Sequence, residues 1–165
     1  MLPMIIHVPD KNTLIIDEFK LKCCIGKKGI NSNKKEGDYS TPKGLFNLRK
    51  LYFREDRVGI PKCKINKKII TRDLAWCNNP KHKKYNEEIK TQNKNLEENL
   101  HRKDHKYDYI ISISHNEKRT PGKGSAIFIH LTDKYKPTAG CIALKKKDFE
   151  ILLKLIDKKT KIKIG

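Results

Sequence analysis

A chain of 165 residues is long enough for one hydrophobic core and too short for two, so residues 1–165 are expected to form a single domain. The net charge of +19 comes mainly from scattered lysines, and there is no helix-turn-helix, zinc-finger or RNP motif, so no specific nucleic-acid partner is expected. No segment approaches the ~18 apolar residues that span a bilayer. The first residues, MLPMIIHVPDK, lack the features of a signal peptide and predict a strand.

The first third of the chain predicts a series of short strands. Apolar and β-branched residues dominate residues 4–8, 13–17, 20–25 and 45–51, and polar or glycine-bearing segments separate these runs. Residues 26–40 predict a loop. The Thr41-Pro42-Lys43-Gly44 run predicts a turn that leads into the strand at 45–51.

The middle of the chain is the least hydrophobic part and predicts a long polar loop insertion. Leu96 and Leu100 have helical spacing, so residues 80–105 are expected to form a loop with one short helix. This segment is either a flap over a site or a solvated insertion, and the sequence leaves both open. Residues 68–71 are a candidate strand. Trp76, the sole tryptophan, either packs in the core or walls a cleft.

Residues 107–114 (YDYIISIS) predict the clearest strand, and His115 and Asn116 follow at its end. If this strand pairs with residues 125–131, His115 and His130 lie at the same rim, and His115 then orients His130 or contacts substrate. The alternative is a histidine at an exposed strand end.

The end of the chain predicts one helix and one strand. Residues 147–157 carry apolar side chains at helical spacing, namely Phe149, Leu152, Leu153 and Ile156. Residues 160–164 predict the final strand. Many short strands with one good helix indicate a mainly β domain, a barrel or a sandwich, with one helix in its C-terminal region.

The five cysteines form an odd set without the spacing of a metal site: Cys23, Cys24, Cys63, Cys77 and Cys141. Cys63 and Cys77 either pair as a disulfide or remain free thiols. His101 and His105 stand four residues apart but lack the glutamate of an HExxH motif. No metal site and no cofactor are therefore expected.

Residues 124–144 (GSAIFIHLTDKYKPTAGCIAL) carry the pattern with the clearest chemistry. An apolar run ends at His130, a polar loop follows, and Thr138-Ala139-Gly140-Cys141 leads into a second short apolar run. A thiol attacks as thiolate, and a neighbouring imidazole is a usual means of forming it. Gly140 allows a tight turn, so the Gly140 and Cys141 N–H groups are expected to hold an oxyanion. The pattern predicts a cysteine acyl-transfer site.

This pattern resembles the active-site signature of the L,D-transpeptidases with a YkuD-type catalytic domain. His130 matches the first histidine of that signature, and Thr138, Gly140 and Cys141 match its hydroxyl residue, glycine and cysteine. The Thr41-Pro42-Lys43-Gly44 run, followed by Phe46, is similar to the Thr-Pro-x-Gly-x-Phe segment of the same domain. The run at residues 76–80 (WCNNP) looks most like a proteobacterial branch of the family.

The resemblance implies a β-barrel or sandwich that cross-links peptidoglycan through a cysteine thioacyl intermediate. Its partners would be donor and acceptor stem peptides, and the enzyme would act as a monomer in the periplasm or cell envelope, although no signal peptide is visible. The expected substrate-binding residues are Thr138, Ala139, His115, Asn116, Trp76, Thr41 and Gly44. Ala139 and Ala143 depart from the family, which often has histidine and arginine or asparagine there.

Two alternatives remain open at this point. The same Cys-His site could pass the acyl group to water, which would make the protein an L,D-carboxypeptidase or amidase of peptidoglycan. In the other alternative the chain is a basic polyanion-binding module without catalysis, and Cys141 is a buried structural thiol.

Overall fold

The structure, a computed structural model, describes residues 1–91 and 97–165. Within these ranges the chain forms short strands and two helices. The strands are β1 (Ile5–Val8), β2 (Thr13–Ile16), β3 (Phe19–Lys22), β4 (Ile30–Asn31), β5 (Thr41–Pro42), β6 (Gly44–Phe53), β7 (Asn66–Ile69), β8 (Leu74–Trp76), β9 (Glu88–Lys90), β10 (Glu98–Asn99), β11 (Tyr109–Ile113), β12 (Phe128–Leu131), β13 (Ile142–Leu144) and β14 (Lys161–Ile164). The helices are α1 (Glu55–Val58) and α2 (Lys146–Leu155).

One large sheet dominates the fold and closes almost completely into a barrel. Its strand order is β13-β12-β11-β6-β14-β1-β2-β3, and β7 pairs with β6 off this path. Cys24, just beyond β3, exchanges two backbone hydrogen bonds with Ala143 of β13, at 3.0 and 2.9 Å. The two ends of the sheet therefore meet at this bridge. The mainly β fold predicted from the sequence is confirmed, and of the two alternatives, barrel and sandwich, the structure shows a nearly closed barrel.

The barrel encloses the main hydrophobic core, because alternate residues of its strands point inward. Helix α2 covers this core with Phe149, Leu152 and Leu153, and the Phe149 ring stacks on Tyr109 at 5.2 Å between centroids. The helix predicted at residues 147–157 is thus confirmed at 146–155. The one-turn helix α1 was not predicted.

A second, smaller core lies outside the barrel and under the polar segment. Its buried members are Tyr52, Ile70, Leu74, Leu100, Tyr107, Ile110 and Phe128, with Trp76, Ala126 and Cys141 packed against it. The three-stranded sheet β10-β8-β9 covers this cluster. The described residues of the segment 80–105 form strands and turns, so the helix expected there is wrong for Leu100, while Leu96 lies outside the described residues.

Three further expectations concern the cysteines, membrane-spanning segments and the strand at residues 125–131. All five cysteines are free thiols, with Cys77 buried and Cys63 half-buried. No helix of the described residues is long and apolar enough to cross a membrane. The strand expected over residues 125–131 begins at Phe128, because Ala126 has a φ of +54° and breaks the extended backbone before it.

Candidate active site

Two neighbouring parallel strands place His130 and Cys141 on one face of the sheet. In the β12–β13 register His130 lies opposite Ala143, and Cys141 comes two residues before Ala143. Because side chains two residues apart in a strand point the same way, His130 and Cys141 share a face. Both line a cavity of about 770 Å³. The imidazole and the thiol singled out in the sequence therefore line the same cavity.

The His130 ring is buried and oriented by one hydrogen bond. The residue is 6% exposed, its Nδ1–H donates to the Leu131 carbonyl at 2.8 Å, and Tyr107 meets the ring edge-on at 5.3 Å between centroids. This bond fixes the proton on Nδ1 and leaves the Nε2 lone pair as the acceptor. Burial lowers the pKa of His130 to about 4, so the imidazole is neutral at neutral pH.

The Cys141 thiol is held by backbone groups of the segment that leads into β12. Its S–H donates to the Ala126 carbonyl at 3.1 Å, and its Sγ accepts the Phe128 N–H at 3.3 Å. Burial raises the pKa of the Cys141 thiol to about 12, so the sulfur is protonated at neutral pH. Within residues 1–91 and 97–165 no hydrogen bond joins this thiol to His130.

The backbone before Cys141 is fixed by two hydroxyl groups. Thr41 Oγ1–H donates to the Gly140 carbonyl at 2.8 Å, and Thr138 Oγ1 accepts the Gly140 N–H at 3.1 Å. Gly140 has φ +149°, and a Cβ there would lie 2.8 Å from the Ser40 carbonyl oxygen, so only glycine fits. The expectation that the Gly140 N–H holds an oxyanion is wrong, because Thr138 already occupies it. The Cys141 N–H has no partner among the described residues.

The walls of the cavity carry an excess of positive charge. Its two arginines are neutralised, Arg57 by Asp108 at 2.9 Å and Arg102 by Asp104 at 2.6 Å. In the described part of the chain no ion pair involves the ammonium groups of the four lining lysines, Lys106, Lys134, Lys136 and Lys146. The cavity is therefore suited to an anionic ligand.

Only some of the residues expected to contact substrate line the cavity that contains Cys141. Thr138 and Ala139 line the cavity with Cys141. Thr41 is fully buried beneath Gly140, so the expectation that it contacts substrate is wrong, and it orients the backbone instead. Gly44 pairs with Ile164 at the start of β6 and lines neither of the two described cavities.

His115 and Asn116 lie at the other end of the sheet from His130. Strands β11 and β12 are antiparallel, with Ser112 opposite Phe128, so the end of β11 meets the beginning of β12. The His115 ring bonds the Lys123 carbonyl at 2.9 Å, so the expectation that it orients His130 is wrong. Asn116 donates to the Gly124 carbonyl and closes a loop, and no cavity contact is found for it in the described ranges.

Trp76 and His115 line a second cavity, of about 630 Å³. The indole packs edge-on against Phe128 at 5.1 Å and against Tyr52 at 6.1 Å between centroids. Its Nε1–H donates to Asn86 Oδ1 at 2.9 Å. Trp76 therefore both joins the smaller core and walls a cleft, the two alternatives that the sequence left open.

Three residues of the site were missed at the sequence level. Tyr107 contacts His130, Ala126 accepts the thiol hydrogen bond, and Asn86 accepts the Ala126 N–H at 3.1 Å. Tyr107 begins the strand predicted at residues 107–114 and lies two residues before β11, and that position is a usable signal. Ala126 and Asn86 offer none, because their roles depend on contacts across 15 and 40 residues of sequence.

Comparison with known proteins gives a family match and a fold match. The family model for the L,D-transpeptidase catalytic domain, YkuD, matches residues 5–164. Among solved structures, the helical cell shape determining protein Pgp2 from Campylobacter jejuni superposes with a TM-score of 0.53 at 18% identity, covering 99% of this chain and 47% of that one. Bd1075 from Bdellovibrio bacteriovorus gives a TM-score of 0.52 at 15% identity, covering 99% and 48%.

The similarity to the two solved structures supports a conclusion about the fold alone. The chain spans about half the length of the two solved structures, and at such identities they establish the fold. No protein of curated function matches the chain.

Proposed function

Because this chain belongs to the YkuD family of L,D-transpeptidase catalytic domains, we propose that it is a cysteine acyltransferase acting on the stem peptides of peptidoglycan. The observation that carries the proposal is that Cys141 and His130 share one face of the β12–β13 pair and open into one cationic cavity. Cys141 would be the nucleophile and His130 the general base. The reaction needs no metal or organic cofactor.

The proposed reaction begins when substrate displaces the sulfur from the Ala126 carbonyl. His130 Nε2 takes the thiol proton, the sulfur bonds to a peptide carbonyl carbon of the donor stem, and the carbonyl electrons move onto oxygen. The unpaired Cys141 N–H donates to this oxyanion, a contact worth about 3 kcal/mol in comparable sites. The oxyanion collapses, the carbon–nitrogen bond breaks, and His130 returns the proton to the leaving amine.

The second half of the reaction decides between transfer and hydrolysis. A thioacyl-enzyme remains after the leaving amine departs, and His130 then takes a proton from the incoming amine or water. Attack by the amine of an acceptor stem gives a cross-link, whereas attack by water gives a trimmed stem, the carboxypeptidase alternative. We favour the amine as acceptor because the family is that of the transpeptidases.

The charge of the cavity supports a stem peptide as substrate. Stem peptides carry several carboxylates, and the four unpaired lysines of the cavity complement them. Such a substrate places the enzyme in the periplasm or cell envelope. Pgp2 is described as a helical cell shape determining protein, and we extend to this chain a role in wall remodelling that affects cell shape.

The experiment is a digest of muropeptides incubated with purified protein and analysed by mass spectrometry. The wild-type protein should form cross-linked dimers, and Cys141→Ala should form none, because the acyl acceptor sulfur is gone. Cys63→Ala is the matched control, since Cys63 is a half-buried thiol that contacts the Ile65 carbonyl away from the cavity.

Three other outcomes would change or contradict the proposed function. Trimmed monomers without dimers would make the protein a hydrolase with the same site. Dimers formed equally well by Cys141→Ala would contradict the proposed nucleophile. An inert Cys141 thiol together with salt-sensitive DNA binding would support the polyanion-binding module instead.

A further inference from the structure

Cys141 is connected to the β8–β9 hairpin through a single residue, Ala126. The Cys141 S–H donates to the Ala126 carbonyl at 3.1 Å, and the Ala126 N–H donates to Asn86 Oδ1 at 3.1 Å. Ala126 has a φ of +54°, a left-handed conformation that alanine keeps only where its surroundings hold it. The bond from Asn86 fixes the peptide on one side of this strained residue, and the thiol lies on the other.

The Asn86 amide is itself fully used. Its Oδ1 also accepts the Trp76 Nε1–H at 2.9 Å, and its Nδ2 donates to the carbonyls of His115 and Asn116 at 3.1 and 2.9 Å. Two donors and two acceptor positions are all that an asparagine side chain offers. One amide group therefore fixes the hairpin, the loop after β11 and the loop before β12 relative to one another.

We propose that Asn86 is a positioning residue: it holds the Ala126 carbonyl against the Cys141 S–H and thereby adds to the effect of burial, which favours the protonated sulfur. A carbonyl that accepts a hydrogen bond from a thiol favours the protonated form and repels a thiolate. The Phe128 N–H on the same sulfur has the opposite preference and remains available to the thiolate. By holding the Ala126 carbonyl in place, Asn86 therefore favours the thiol form of Cys141 over the thiolate.

The other groups that act on the sulfur are independent of Asn86. Burial raises the pKa of Cys141, the Glu98 carboxylate raises it further, and the Lys34 ammonium lowers it. Tyr107, whose hydroxyl donates to Glu98 at 2.5 Å, and His130 are two further titratable residues that line the same cavity. None of these side chains bonds to Asn86, so a change at Asn86 leaves their charges in place.

The test is alkylation of the thiols by iodoacetamide, followed cysteine by cysteine with peptide mass spectrometry over a series of pH values. In Asn86→Ala the Cys141 rate at neutral pH should rise about fivefold, the effect of one net hydrogen bond, and its pH midpoint should fall. Asn86→Asp keeps the oxygen that Ala126 donates to and should retain the slow rate. Asn79→Ala is the matched control, because within the described part of the chain that exposed amide bonds only to the Lys81 N–H.

Cys63, a half-buried thiol outside the site, reports on folding in the same experiment. An unchanged Cys141 rate in Asn86→Ala, with Cys63 also unchanged, would overturn the proposal. If Asn86→Ala unfolds, all five cysteines label together, and hydrogen exchange of the wild-type protein decides instead. The Ala126 N–H should then exchange slowly, and exchange at the rate of a free loop amide would overturn the proposal.

The inference rests on the proposed role of Cys141 as nucleophile, but its readout requires no turnover. Failure of the wild-type protein to release any muropeptide product would remove the proposed function alone. A wild-type enzyme that turns over normally, with equal Cys141 alkylation in Asn86→Ala, would remove the positioning role alone. The two failures are therefore distinguishable.

Discussion

At the Cys141–His130 site both groups that would exchange a proton are uncharged at rest. Burial raises the pKa of Cys141 to about 12 and lowers that of His130 to about 4. A thiolate–imidazolium pair would place two charges in a buried site, which burial disfavours. Proton transfer is therefore expected to accompany substrate binding, in contrast to cysteine sites that hold a thiolate in advance.

The pKa of His130 has a consequence for stability that His130→Gln can isolate. The unfolded chain takes up a proton near pH 6.5 and the folded chain only near pH 4, so the unfolded state binds more protons between these values. The free energy of unfolding should therefore fall as the pH drops, by about 2 kcal/mol from pH 7 to pH 5 through this residue. Urea unfolding at both pH values measures it.

The Gln variant should lose this part of the pH dependence while the other titrating groups remain. Equal pH slopes for the wild-type protein and His130→Gln would show that His130 titrates normally. That result would contradict a buried neutral imidazole.

The sequence predicts the residues with local signals and misses those without. His130 and Cys141 stand beside apolar runs that become β12 and β13, so their placement follows from the order of strands. The sequence singles out Gly140, where the structure requires glycine, but the Gly140 N–H expected to hold an oxyanion donates to Thr138 instead. Asn86 acts on Ala126 across 40 residues, and no local pattern indicates such a contact.

At the level of elements, a loop without regular structure is held beside His130 by the one-turn helix α1. Arg54 donates to the Arg102 carbonyl at 2.8 Å, and Arg57 donates to the carbonyls of Lys103 and Asp104 at 2.9 and 2.6 Å. The Lys106 carbonyl accepts the Leu131 N–H at 2.9 Å, directly after His130. These bonds fix the loop that contributes Lys106 to the cavity.

Lys106→Gln should weaken substrate binding. Its ammonium has no ion-pair partner in the described ranges and adds to the effect of burial in lowering the pKa of His130, so it lies close to the site. Loss of one charge-assisted bond to a substrate carboxylate should raise KM about tenfold and change kcat little. Steady-state kinetics with a stem tetrapeptide measures both.

Lys103→Gln is the matched control for this prediction. Lys103 is an exposed lysine of the same loop that does not line the cavity, so its loss changes the net charge equally. An equal rise of KM in both variants would show a general effect of charge. That outcome would contradict a specific contact at Lys106.

The element order explains why His115 was misplaced. The sequence offers a pairing between the strands at 107–114 and 125–131 as one possibility and gives no direction for it. An antiparallel pair puts the end of one strand beside the beginning of the next, which separates His115 from His130. The helix predicted within residues 80–105 is wrong for a different reason. Leu100 follows the short strand β10 and is buried in the smaller core, a contact that helical spacing does not reveal.

At the scale of the whole molecule, the site lies where the barrel closes. Cys24 and Ala143 join the two ends of the sheet, and Cys141 stands two residues before this bridge. The mainly β fold could be predicted because short apolar runs separated by turns recur along the chain. The closure of the barrel could not be predicted, because it depends on the bridge between Cys24 and Ala143, which are 119 positions apart in the sequence.

The most direct measurement is the capture of the acyl-enzyme. Wild-type protein and His130→Gln are mixed with a stem tetrapeptide, quenched with acid, and analysed by intact mass and peptide mapping. An acyl adduct, lighter than the intact tetrapeptide by the departed residue, is expected on Cys141 in the wild-type protein, and its formation should be slowed at least ~100-fold in His130→Gln. An adduct on another cysteine, no adduct at all, or equal rates in the two proteins would contradict the proposed mechanism.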